Sequence, residues 1–190
     1  MKTLRALSER LYKKTNRKVT IVAVVIFLLF TATVFPLATL AQKAYTGTAS
    51  MPDTMLFASS ESYYDLAESY GDMGRRAYIW LRFTFDLTWP AVYGFVLAAG
   101  LSYALKKSKH GWVRALNLLP FFGVLFDLIE NILAVYYMAF FPKAVDWAVS
   151  ILPTVTAIKW AVLGIAFCLL LVLFVNSSII SLLKRIKRDK

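Results

Sequence analysis

This chain of 190 residues is 59% hydrophobic, with a mean hydropathy of +0.60, which excludes an ordinary soluble domain of about 45–50% apolar residues. Its net charge of +11 does not make it a nucleic-acid binder, because Lys and Arg gather at the ends of apolar runs rather than along a phosphate-tracking face. One cysteine and one histidine exclude an internal disulfide and a zinc-type cluster.

Residues 1–18 form a basic tail, and its stretch LRALSERLYKK predicts a short surface helix drawn to anionic lipids. Four apolar runs follow, at about 19–41, 78–105, 115–141 and 144–175. Each supplies the ~20 residues needed to cross a hydrocarbon core of ~30 Å. The first run admits two readings: a retained span, or a signal peptide cleaved after Thr39-Leu40-Ala41. A long n-region and an apolar run beyond the usual ~7–15 residues favour the retained span.

Between the first two runs, Tyr63, Leu66, Ala67 and Tyr70 fall at i, i+3, i+4 and i+7. They predict an amphipathic helix over about 59–70, capped by Ser59 or Ser60 and ended by Gly71. Two roles fit it: lying flat on the outer membrane surface, or closing the bundle mouth as a lid. The next segment carries Arg75 and Arg76 between glycines and aromatics. These arginines either meet a lipid headgroup or snorkel at an aromatic belt. His110 lies in the basic loop KKSKHGW and reads as solvated; Cys168 reads as a small hydrophobe.

Charge sets the expected orientation. The N-terminal tail, the second connection (Lys106, Lys107, Lys109, then Arg114) and the C-terminal tail at 184–190 are basic, whereas the other side has only Lys43, Arg75, Arg76 and Lys143. The positive-inside rule then puts both termini in the cytoplasm and requires an even number of spans. The expected fold is all-α: a polytopic membrane protein, one four-transmembrane-helix bundle over 19–183 with a short extracytoplasmic amphipathic helix.

Three carboxylates inside these runs carry the functional argument, because an ionised group in a bilayer is costly and marks a wet or protein-lined site. At 1.5 Å per residue, Asp86, Trp89 and Tyr93 lie about 30, 25 and 20 Å from Lys106. Asp127 lies about 20 Å from Arg114, and Glu130 and Asn131 about 25 Å. Lys159 comes to a similar height in the fourth run and reads as the only cation at that depth. Asp127, Glu130 and Asn131 share one helical face, as do Asp86, Pro90 and Tyr93. The two stripes are expected to face each other, with Asp127 and Glu130 as a close acid pair in which one proton is retained. A purely structural hydrogen-bonded network is the other reading. Pro36, Pro90, Pro120 and Pro153 offer kinks beside the acids. No phosphate-binding glycine motif is present, and no cofactor or metal is expected.

The ordered string Gly74-Arg75-Arg76-Ala77-Tyr78, Asp86-x-x-x-Pro90-x-x-Tyr93, Leu119-Pro120 and Asp127-x-x-Glu130-Asn131 resembles a group of bacterial four-helix inner-membrane proteins to which no activity attaches. The resemblance covers about residues 60–135 and implies location in the bacterial plasma membrane. The architecture is also similar to the emopamil-binding (EXPERA) class, which holds sterol-like ligands against intramembrane carboxylates. The spans lack the histidine of its isomerase members, so the similarity implies binding of a hydrophobic, cationic or lipid-like molecule rather than isomerisation.

Three functional expectations follow. The first is a lipid- or amphiphile-binding or -processing protein, with Asp127, Glu130 and Asp86 as acid/base or cation-binding groups. Tyr93, Asn131, Trp89 and Lys159 orient them, and Arg75 and Arg76 meet a headgroup. The second is a proton- or cation-coupled carrier, which with so few spans needs a homodimer. The third is an assembly subunit in which the acids only hold helices together.

Overall fold

The computed structural model describes residues 2–47 and 50–188; Met1, residues 48–49 and the last two residues of the basic C-terminal tail lie outside the described residues. Among the described residues the chain is helical, with no strand. The long elements are α1 (Lys2–Lys14), α2 (Arg17–Thr46), α3 (Ser60–Ala104), α4 (Gly111–Ala115), α5 (Leu119–Phe140) and α6 (Asp146–Arg188). Four helical stretches are long and apolar enough to cross a membrane: Arg17–Thr46, Ser60–Ala104, Gly111–Phe140 and Asp146–Ile179.

Local chemistry sets the helix ends. Asn16 has extended backbone and accepts a hydrogen bond from the Val19 N–H at 3.1 Å, capping α2. Gly47, at φ 72°, ends the same helix by donating its N–H to the Lys43 carbonyl. Pro120 stands in the first turn of α5 rather than kinking it, since its missing N–H costs nothing there. Pro36, Pro90 and Pro153 lie inside α2, α3 and α6.

Gly71 ends the amphipathic helix, as the sequence pattern predicts: it adopts the non-helical φ 60° and ψ 178°, and a second helix starts at once, so α3 consists of two helical limbs joined at a kink. Glycine reaches that conformation without a Cβ penalty, so one residue is enough for the turn. Arg75 then fastens the bend: it donates to the Ala67 carbonyl at 2.9 Å, pairs with Asp72 and lies over the Phe141 ring at 4.5 Å.

The apolar face of the first limb of α3 is spent on the bundle. Tyr63, Leu66, Ala67 and Tyr70 are buried in one cluster with Tyr137 and Met138 of α5 and Val149 and Leu152 of α6. The Tyr63 and Tyr137 rings meet edge to face at 5.9 Å. That face is therefore closed against α5 and α6, not left free to lie on a lipid surface.

A second cluster, nearer α1, joins Tyr12, Ala23, Tyr93, Leu97, Leu101 and Ala166. Here α1 is clasped rather than loose. Ser8 Oγ donates to Asn117 Oδ1 at 2.8 Å, Tyr12 Oη donates to the Arg114 carbonyl at 2.8 Å, and Arg114 pairs with Glu9 at 2.9 Å.

The seam between α5 and α6 is tight. A Cβ built on Gly123 would stand 2.3 Å from Leu163 Cδ2, so a larger residue there would force the Leu163 side chain to move. The packing of α2 is sparser. Only Ala23, Gln42 and Thr46 of its residues are buried, and it leans mainly on α3. Open space remains between α2, α3 and α6, and the candidate site lies there.

Candidate functional site

A cavity of about 730 Å³ opens between α2, α3 and α6. The segment Met51–Thr54, from the connection between α2 and α3, contributes to its wall. Hydrogen bonds fix that connection from three sides. Tyr63 Oη donates to the Met55 carbonyl at 3.0 Å, Tyr70 Oη to the Ser50 carbonyl at 2.5 Å, and Trp160 Nε1 to the Asp53 carbonyl at 3.0 Å.

The wall is largely apolar and carries seven aromatic side chains. Phe27 and Phe35 of α2, Phe85, Trp89 and Tyr93 of α3, and Trp160 and Phe167 of α6 all line it. Trp89 is the hub: its ring centroid lies 5.7 Å from Phe27, 5.6 Å from Phe30, 5.4 Å from Phe35 and 5.7 Å from Tyr93. Offset and edge contacts of this kind present ring faces and edges at fixed positions.

The polar part of the wall belongs to a network running through α3, α5 and α6. The two predicted stripes meet. Tyr93 Oη donates to Asp127 Oδ2 at 2.5 Å, and Asn131 Nδ2 donates to the Asp86 carbonyl at 3.2 Å and to Asp127 Oδ1 at 3.3 Å. Asp86 and Asp127 both line the cavity.

Glu130 goes elsewhere. Fully buried, it accepts hydrogen bonds from Thr156 Oγ1 and from Lys159 Nζ, both on α6. It is not on the cavity wall. No hydrogen bond joins it to Asp127 among the described residues, so the expected acid pair is two acids with separate partners. Lys159 does reach the wall, but its charge is already engaged by Glu130.

Arg75 and Arg76 are not at the site. Arg75 holds the bend at Gly71 and Arg76 is exposed, and neither lines the cavity.

The residue that sequence reasoning missed is Arg82, a second buried cation beside Lys159. It is only 4% exposed and bridges three partners: Asp86 at 3.1 Å, Asn131 Oδ1 at 3.0 Å and Asp53 at 3.3 Å. Its guanidinium also lies 4.5 Å from the Tyr78 ring centroid. The i, i+4 spacing of Arg82 and Asp86 was the available signal. Asp53 gave none, because a connection brings it there. Burial alone pushes the Asp53 carboxyl up, but the Arg82 and Lys159 charges and the Arg82 hydrogen bond outweigh that and hold it below the usual carboxylate range. Gln42 was also missed; it is buried on the cavity wall with its Nε2 unpartnered.

In this network four carboxylates (Asp53, Asp86, Asp127 and Glu130) share two cations, Arg82 and Lys159. The excess of acid faces the cavity rather than the sealed side. An aromatic wall carrying surplus carboxylate attracts positive charge, through the ring faces and through the acids together. Among the described residues, no three His, Cys, Asp or Glu side chains come together to hold a metal ion. No protein-family model matches the chain, and no similar protein was found among curated proteins or among solved structures.

Proposed function

We propose that the protein resides in the bacterial plasma membrane, with both termini in the cytoplasm, and binds an amphiphilic molecule with a cationic head. Four helical stretches of sufficient length and apolarity support insertion. So does the outward face of α2 and α6, where Leu29, Leu37, Leu40 and Val172 are exposed. The distribution of Lys and Arg supports the orientation. The bent first limb of α3 is then extracytoplasmic and buttresses α5 and α6. Similarity to the emopamil-binding class points to the same class of ligand.

One observation carries the ligand reading. Asp53, Asp86 and Asp127 all face an aromatic cavity whose one lysine, Lys159, is already paired. A ligand cation is held by Asp127 and Asp86 against Trp89, and its apolar part by Phe27, Phe35 and Phe167. Any processing of the ligand falls to Asp127 and Asp86, not to Glu130.

Equilibrium dialysis of the detergent-purified protein against tetraphenylphosphonium, with tetraphenylborate as the charge-inverted probe, tests this. The phosphonium binds, the borate does not, and Asp127→Asn weakens phosphonium binding about tenfold, the effect of ~1.4 kcal/mol. Equal binding of both ions, or full binding by Asp127→Asn and Asp86→Asn alike, overturns the reading.

A second reading, a proton- or cation-coupled carrier acting as a homodimer, draws on the surplus of four carboxylates over two cations. Uptake of the phosphonium into proteoliposomes under a pH gradient, against none without it, distinguishes carrier from binder.

A further inference from the structure

The chamber does not end where its acids do. Val24, Val96 and Leu170 belong both to its wall and to that of a second cavity of about 1080 Å³, which runs on between the same three helices toward the Arg17 end of α2. Along its length this groove is apolar, lined by Ile21, Val25, Leu173 and Phe174. Its far end changes character: Arg17, Lys106 and Lys107 stand there, with Thr20 and Ser178 beside them, and no carboxylate is on the wall. Lys106 is partly engaged, donating to the Thr15 carbonyl at 3.3 Å. Neither Arg17 nor Lys107 has a carboxylate partner among the described residues. Arg17 also opens α2, whose first turn holds no acid. A cation there works against the helix dipole, so its placement calls for an anion from outside the chain.

We propose that this groove binds an anionic phospholipid, with the phosphate at Arg17 and Lys107 and an acyl chain along the apolar wall toward Val24. The distance from Arg17 to Val24 is about 10 Å at helical rise, which takes the upper part of such a chain. The basic end selects the headgroup's charge, and the groove admits the tail. The site uses none of Asp53, Asp86 and Asp127, so it stands or falls apart from the cation reading of the chamber.

Native mass spectrometry of the full chain, released from detergent with dioleoyl-phosphatidylglycerol or dioleoyl-phosphatidylcholine, measures it. The wild type retains the glycerol lipid over the choline lipid, and Arg17→Gln/Lys107→Gln removes that preference, by about fivefold for each cation lost. Lys13→Gln/Lys109→Gln removes the same charge outside the groove and leaves the preference intact. Ala104→Trp, which fills the groove, lowers retention of the glycerol lipid; if that variant does not fold, the two charge pairs decide alone. sn-Glycerol 3-phosphate, which carries the anion without tails, is not retained. The proposal is overturned by equal retention of the two lipids, by equal effects of the two charge pairs, or by retention of the tail-free phosphate at the level of the lipid.

Discussion

Glu130 and Asp127 stand on the same turn of α5, yet one is sealed and the other looks into open space. Three residues at 3.6 per turn separate their directions by about 60°, enough to give them different neighbouring helices. Glu130 meets α6, where Thr156 and Lys159 satisfy it. Asp127 meets α3, where Tyr93 holds it on a cavity wall, with Asn131 of its own helix donating to its other oxygen. The sealed half is charge-balanced and joins two helices. The open half has more acid than Arg82 can balance, together with aromatic surface and the buried Gln42 side chain. Adhesion and recognition thus divide within one network, and the cavity draws the line.

The comparison breaks most visibly on the sealed side. Glu130→Gln leaves Lys159 buried without its counter-charge, a change that costs about 3–5 kcal/mol when one partner of such a pair is removed. Glu130→Leu/Lys159→Met, which removes both charges, regains most of that stability. Thermal unfolding in detergent reads both variants; a single variant as stable as the wild type would place Glu130 with the open half.

Next in size is the contrast between two glycines. Gly123→Ala pushes a methyl into Leu163 and costs about 1–3 kcal/mol, and Leu163→Ala added to it relieves the clash. Gly164→Ala, on the cavity wall with nothing within 4 Å of a Cβ, costs nothing and gains a few tenths of a kcal/mol to about 1 kcal/mol of helix stability. Equal melting shifts for the two variants would mean that the α5–α6 seam is no tighter than the chamber.

The smallest effect is a pH dependence at Asp53. Its carboxyl is held low in the folded chain, so the stability it contributes is fully present above the ordinary carboxylate value near ~3.9. That contribution is lost as pH falls from there through the lowered value. Protection of the residue 51, 53 and 54 amides, measured relative to their intrinsic exchange rates, should therefore fall on acidification below about pH 4, and Asp53→Asn should show low protection already at neutral pH, with no further loss on acidification. The same acid-induced loss of protection in Asp53→Asn would assign it to another group.

Much of this was legible in the sequence. Each apolar run falls on one of the four long helical stretches, overrunning it by no more than two residues, and the 3.6-residue periodicity put Asp127 beside Asn131 and Asp86 in line with Tyr93. What periodicity does not carry is the identity of a neighbour. A 60° offset looks like one stripe on paper, so Asp127 and Glu130 read as a pair. Arg82 was hidden by an assumption about depth: residues near the start of an apolar run were read as lying at its surface end. Because a second helical limb starts directly after the kink at Gly71, Arg82 lies well inside α3, with Tyr78 beneath its guanidinium. Asp53 and Trp160 meet only through the connection between α2 and α3, a tertiary contact without a sequence pattern. Arg75 resembled a headgroup ligand because no spacing rule shows an arginine turning back over its own bend.

The division between the halves is tested most directly by comparing phosphonium affinity in Asp127→Asn with that in Thr156→Val, which removes a partner of Glu130 away from the cavity wall, measured by equilibrium dialysis on protein that remains helical and monodisperse. The expected result is a loss of about tenfold or more for the first variant and wild-type affinity for the second. Wild-type affinity in Asp127→Asn together with loss in Thr156→Val would contradict that division.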